Sequence, residues 1–119
     1  MLSVGVDIIE LERVQHALDR FGERFAHKVY TAREIAYCRG RVPELAVRFA
    51  AKEAVSKALG TGINGLLWTE MEILADERGK PLVVLHGRAL ARAQLLGLSE
   101  WAVSMSHSDH DAVAFVAAQ

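Results

Sequence analysis

Arg48-Phe49-Ala50-Ala51-Lys52-Glu53-Ala54-Val55-Ser56-Lys57-Ala58-Leu59-Gly60 has the spacing of one amphipathic helix. Val47, Ala51, Ala54, Val55, Ala58 and Leu59 recur on one side, while Arg48, Lys52, Glu53, Ser56 and Lys57 gather on the other. Gly60 supplies the stop. Glu53 and Lys57 stand one turn apart, so a carboxylate able to hold a divalent cation lies beside an ammonium able to hold a phosphate. Glu four residues before Lys is also the order of an ordinary helix-surface ion pair, which contributes roughly 0.2–0.5 kcal/mol. This helix alone leaves both roles open.

Working outward, Leu2-Ser3-Val4-Gly5-Val6-Asp7-Ile8-Ile9 reads as a strand in which Val4, Val6 and Ile8 alternate as one face. Asp7 is out of place there: Asp is depleted in strands, and a carboxylate among so much apolar surface needs a cation or hydrogen-bond donors. Gly5, two residues earlier on the same face, would let a ligand or another backbone approach closely. The plain alternative for Asp7 is a strand-end cap of the helix that starts near Glu10.

Leu11, Val14, Leu18 and Phe21 recur at helical intervals and predict a helix from Glu10 to about Arg24. Thr31-Ala32-Arg33-Glu34 is a capping-box pattern that opens another helix. Arg39-Gly40-Arg41-Val42-Pro43 interrupts the helical pattern before the central helix. Past Gly60-Thr61-Gly62, Trp68 to Leu74 and Leu82 to Leu85 predict two strands of a hairpin around a turn at Asp76 to Pro81. Gly87 to Leu96 is helical and stopped by Gly97; strands around Trp101–Ser106 and Ala112–Ala117 follow, joined by Ser108-Asp109-His110-Asp111. Helices mixed with antiparallel hairpins predict an α+β fold, an antiparallel sheet packed on helices.

The 119 residues fit a single domain, 1–119, with one hydrophobic core, small for an enzyme that holds a long cofactor. A neighbouring copy could then help build the site. A formal net charge of −1 gives no support to nucleic-acid or membrane-surface binding driven by bulk charge. The single Cys38 cannot form an internal disulfide, and no cysteine spacing suggests a metal, so a reducing cytoplasm is the expected setting. Asp7, Glu10 and Glu12 interrupt the start too soon for a secretory signal, and no uncharged stretch reaches membrane-spanning length.

Gly5-Val6-Asp7-Ile8, Arg48-Phe49-Ala50-Ala51-Lys52-Glu53-Ala54 with Ser56-Lys57-Ala58, and Gly60-Thr61-Gly62-Ile63 follow in order, then Gly79-Lys80-Pro81 and Val103-Ser104-Met105-Ser106-His107. In order and spacing this set resembles the short bacterial class of the 4'-phosphopantetheinyl transferases, the holo-acyl-carrier-protein synthases, over nearly the whole chain. The resemblance implies a 4'-phosphopantetheinyl transferase-like fold. It also implies transfer of the phosphopantetheine arm from coenzyme A to a serine of an acyl carrier protein, with release of adenosine 3',5'-bisphosphate.

Such chemistry develops charge on phosphate oxygens and calls for a hard cation, cationic side chains and a proton acceptor. By the resemblance, Asp7 and Glu53 are the metal ligands, and two carboxylates with water and phosphate oxygens suit Mg²⁺. Glu53 and Lys57 are the catalytic pair, with Lys57 on the pyrophosphate. Either Glu53 or a water on the ion serves as base for the serine. Arg48, Lys52, Lys57, Gly60, Thr61, Gly62 and His107 are the expected coenzyme A contacts; backbone N–H groups of the Gly60–Gly62 turn would meet a phosphate.

Arg13, Arg20 and Arg24, at spacings of seven and four, fall on one stripe of the first long helix. Periodicity alone makes this a solvated face with Glu10, Glu12 and Glu23 interspersed; the resemblance makes it a docking stripe for acidic carrier proteins. The class also implies a homotrimer with shared sites, Asp7 and Glu53 coming from one subunit and part of the coenzyme A pocket from the next. Two departures stand out: a short connection between the Thr31 and Arg48 helices, and Ser108 where some members carry an acidic residue or Thr. The rival expectations are a non-catalytic coenzyme A or carrier-protein binding module, and a structural subunit in which Glu53 and Lys57 merely pair on the surface.

Overall fold

The central helix is longer than its amphipathic core suggests: α4 runs Val42–Ala58, because Pro43 sits in the first turn, where no intrahelical N–H is required. The computed structural model describes all 119 residues. In chain order, β1 (Ser3–Glu10) leads into α1 (Leu11–Phe21), α2 (Glu23–Val29), α3 (Ala32–Cys38) and α4. A 3₁₀ turn (Trp68–Glu70), the hairpin β2 (Met71–Ala75) and β3 (Pro81–Leu85), α5 (Gly87–Leu96), β4 (Trp101–His107) and β5 (Asp111–Ala118) complete it.

One antiparallel sheet has the order β1-β5-β4, with Asp7 opposite Ala114 and Ala114 opposite Met105. The β2–β3 hairpin forms the second sheet, and its turn is held by the Asp76 carboxylate, which accepts from the amides of Arg78 and Lys80. The alanines Ala50, Ala51, Ala54 and Ala58 of α4 are buried, and their small side chains let the sheet lie close on the helix. Val55, Leu59, Met71, Ile73, Val103 and Val116 fill the core between the layers. The α+β expectation therefore stands.

Three local expectations need correction. The helix expected from Glu10 to Arg24 is two helices, broken at Gly22, whose φ of 57° and ψ of −129° no helix accommodates; a hydrophobic stripe carries through such a kink without registering it. Trp68 opens a 3₁₀ turn and the strand begins only at Met71. There the Glu70 carboxylate takes the amides of Leu67 and Arg88, the second at the start of α5. Finally, only part of the polar side of α4 meets solvent: Arg48, Lys52 and Ser56 are buried, whereas Glu53 is half-buried and Lys57 is exposed.

The β1 strand also faces the opposite way from simple binary patterning. Val4, Val6 and Ile8 point outward and are more than half exposed, at 54%, 52% and 66%. Ser3, Gly5, Asp7 and Ile9 point inward against α4.

Candidate active site

The inward row of β1 is matched to α4 residue by residue. Ser3 Oγ donates to the Ala58 carbonyl at 2.6 Å. At Gly5 the backbones touch, since a Cβ there would lie 2.0 Å from the Ala54 carbonyl oxygen, so only glycine fits. Two residues on, Asp7 Oδ1 accepts from Lys57 Nζ at 3.1 Å, and the same ammonium donates to the Val6 carbonyl at 2.9 Å. This close approach brings a carboxylate from the first strand to the helix that carries Glu53 and Lys57.

Glu53 and Lys57 do not pair with each other: Lys57 reaches across to β1, and Glu53 is in no ion pair. The half-buried Glu53 carboxyl is held above its usual range, first by burial and then by the negative charge of Asp7, while Lys57 acts in the opposite sense. Two facing carboxylates that share only one ammonium lack positive charge. No cluster of three or more His, Cys, Asp or Glu could cage an ion. A donor set of two hard carboxylates fits a small divalent cation that keeps most of its positions for water and substrate oxygens, and it does not fit zinc.

At the other edge of the sheet lies a second polar feature, a pocket of about 360 Å³ lined by Tyr37, Arg48, Lys80, Pro81, Ser106 and His107. Asp7 is two strand spacings from Met105, roughly 10 Å, and His107 lies farther along β4. Arg48 stacks 4.6 Å from the Tyr37 ring and donates to Glu44 Oε2 at 2.8 Å and the Ile73 carbonyl at 3.2 Å. His107 is exposed.

The model of the 4'-phosphopantetheinyl transferase superfamily matches residues 3–116. The chain belongs to that superfamily. A protein named holo-[acyl-carrier-protein] synthase from Herpetosiphon aurantiacus is 48% identical over 98% of this chain and 97% of its own length. Among solved structures, the Helicobacter pylori holo-[acyl-carrier-protein] synthase in complex with coenzyme A superposes with a TM-score of 0.90 at 28% identity, covering 98% of this chain and 99% of that one. The Neisseria meningitidis holo-[acyl-carrier-protein] synthase gives 0.88 at 38% identity, covering 98% and 97%.

Within this transferase fold, several expected ligand contacts are engaged otherwise. Lys52 is fully enclosed, and its ammonium donates to Glu34 Oε1 at 2.7 Å and to the carbonyls of Met71 at 2.7 Å and Trp68 at 3.2 Å. With no hydrogen left for a phosphate, it is a core cation, and the expectation of coenzyme A contact is withdrawn. Burial lowers its proton affinity and Glu34 works against that. The amides of Gly60, Thr61 and Gly62 donate to Lys57 and Ser56 carbonyls, and Thr61 Oγ1 donates to the Gly62 carbonyl. The turn thus caps α4, and those three N–H groups do not form an anion cradle.

Arg13, Arg20 and Arg24 are exposed and make no ion pair, but Arg24 lies on α2, past the break at Gly22. Sequence reasoning missed Tyr37 and Lys80 of the pocket and Glu34, the partner of Lys52. Lys80 lies inside the Gly79-Lys80-Pro81 motif, and Glu34 inside the capping box. Nothing in the sequence signalled Tyr37.

Proposed function

We infer that this transferase is a holo-[acyl-carrier-protein] synthase, moving 4'-phosphopantetheine from coenzyme A to a serine of apo acyl carrier protein. The observation that carries this is the convergence of Asp7, Glu53 and Lys57 across the β1–α4 contact, on a chain matched over its length by relatives of that name. The serine oxygen bonds to the phosphorus bearing the pantetheine arm, the P–O bond to the adenosine-side phosphate breaks, and adenosine 3',5'-bisphosphate leaves. The serine proton goes to Glu53 or to a water beside it. Lys57 faces the charge that gathers on the phosphate oxygens. Mg²⁺ held by Asp7 and Glu53 would neutralise part of that charge.

The unpaired Lys80, Arg48 with its Glu44 partner, and the exposed His107 ring line the β4-edge pocket and supply hydrogen-bond donors suited to further coenzyme A phosphates, and Gly60–Gly62 contributes backbone surface only. The unpaired Arg13, Arg20 and Arg24 support docking of an acidic carrier protein through opposite charge.

The working unit is a homotrimer in this reading. Val4, Val6 and Ile8 of β1 lie beside Val113 and Phe115 of β5 on one exposed sheet face, an apolar patch of the kind that marks an interface. The carboxylates sit at the β1 edge and the cationic pocket at the β4 edge, so a ring of three copies would bring one edge to the other. A cytoplasmic setting goes with the free, buried Cys38; no helix is long and apolar enough to cross a membrane.

Incubation with apo carrier protein, coenzyme A and Mg²⁺, read by mass spectrometry, tests the activity. A carrier that gains one phosphopantetheine supports it. No gain, while a known transferase works in parallel, leaves only a binding module.

A further inference from the structure

Lys57 already occupies one of the two carboxylates proposed as metal ligands. Its ammonium is the one cation paired with Asp7, and the Val6 carbonyl steadies it from the same strand. Glu53, one turn earlier on α4, lacks any ion-pair partner. The Lys57 side chain is 52% exposed on a flexible stem, whereas that of Asp7 is 20% exposed. The ammonium can therefore leave while the carboxylate stays.

We propose that Lys57 is a two-position residue: it is the counter-ion of Asp7 before a divalent cation binds, and it is released toward the donor diphosphate when the cation takes its place. This rests on the assignment of Asp7 and Glu53 as metal ligands. An ammonium in contact with a carboxylate oxygen competes with a cation for the same lone pairs, and like charges a few ångströms apart repel. Swung off Asp7, the ammonium regains both hydrogen-bond donors in a solvent-facing position beside the ion. There an anionic oxygen is its natural partner. Entry of the cation thus builds half of the anion site, and cation and diphosphate bind with positive, reciprocal coupling.

The chain has only four lysines, Lys28, Lys52, Lys57 and Lys80, so their ammonium signals can be assigned by substitution. Full-length protein labelled at the lysine Cε and Nζ and at the aspartate carboxyl is titrated with Mg²⁺ alone, without coenzyme A, and followed by NMR. The Lys57 and Asp7 signals should move together with one midpoint while Lys52 stays still. Movement of Asp7 without Lys57 overturns the exchange and leaves the metal assignment intact. Silence of Asp7 overturns both.

A second measurement uses Mn²⁺ binding by electron paramagnetic resonance, with no turnover involved. Lys57→Met should bind Mn²⁺ several-fold more tightly than the native protein, and should lose the gain in Mn²⁺ affinity that coenzyme A, with no carrier protein present, is expected to give the native protein. A variant that keeps the full gain overturns the coupling.

Discussion

Gly5 and Ala54 are in backbone contact, with the Ala54 carbonyl oxygen where a side chain on Gly5 would begin. Because β1 is a rigid strand, this contact also governs how near Asp7, two residues along, comes to Glu53 and Lys57.

Gly5→Ala must therefore push β1 off α4, at about 1–3 kcal/mol for overpacking against backbone that cannot step aside. Thermal unfolding should report that loss. Mn²⁺ affinity of the folded variant should fall as well, because Asp7 moves with the strand. A folded Gly5→Ala protein with native Mn²⁺ affinity would show that the contact serves stability alone.

Glu53→Gln, which takes away a carboxylate proposed both to hold the cation and to stand by the attacking serine, should lower metal-dependent transfer by about 10²–10⁴-fold with the fold retained. Its effect on stability has a sign. The Glu53 carboxyl is held above its ordinary 4.5, so the native state binds its proton more tightly than the unfolded chain does. Native stability therefore falls as pH rises from about that value through the folded-state value, and then levels. The glutamine variant, lacking this ionisation, should match or exceed native stability at neutral pH, and its advantage should shrink in acid. Denaturant unfolding across pH 4 to 8 checks the trend; an advantage that grows in acid contradicts it.

Lys52→Ala should behave as a core lesion. It leaves Glu34, fully buried and bonded also to the amides of Thr31 and Ile73, without its cation. Breaking a buried pair in this way costs about 3–5 kcal/mol. Lys52→Met with Glu34→Gln should recover part of the loss. Among molecules that remain folded, KM for coenzyme A should not change; a selective rise in KM would return Lys52 to the binding site.

Phe115→Asp places a charge in the middle of the exposed sheet face, opposite Val6 and Ser104. The native protein should elute near about 39 kDa, three times the 13.1 kDa chain, and the variant near the mass of one chain. Transfer should be lost with assembly although Asp7, Glu53 and Lys57 are untouched. Full activity in a monomeric variant would rule out sites shared between copies.

Local signals were legible where a few neighbouring residues decide the outcome. Thr31 and Glu34 form the capping box that their spacing announces. Gly97, at a φ of 74°, ends α5 where its glycine signal lies. Asp7 stood out as a carboxylate in an apolar strand and Glu53 and Lys57 by their one-turn spacing, and motif order tied the three together. Facing was not legible: Val4, Val6 and Ile8 read the same whether a strand turns its apolar row toward the core or toward solvent, and Lys52 looks like any solvated lysine on a polar helix stripe.

Sequence alone determined the alternation of helices and hairpins and their stops, and it marked the candidate reactive groups, because propensity, capping and motif spacing act over a few residues. Tertiary structure decided which groups meet. It turned Lys57 from Glu53 to Asp7, fifty positions away in the chain, and drew Lys52 into the core against Glu34, eighteen positions away, because packing β1, α3 and the hairpin around one helix sets distances that no local signal encodes.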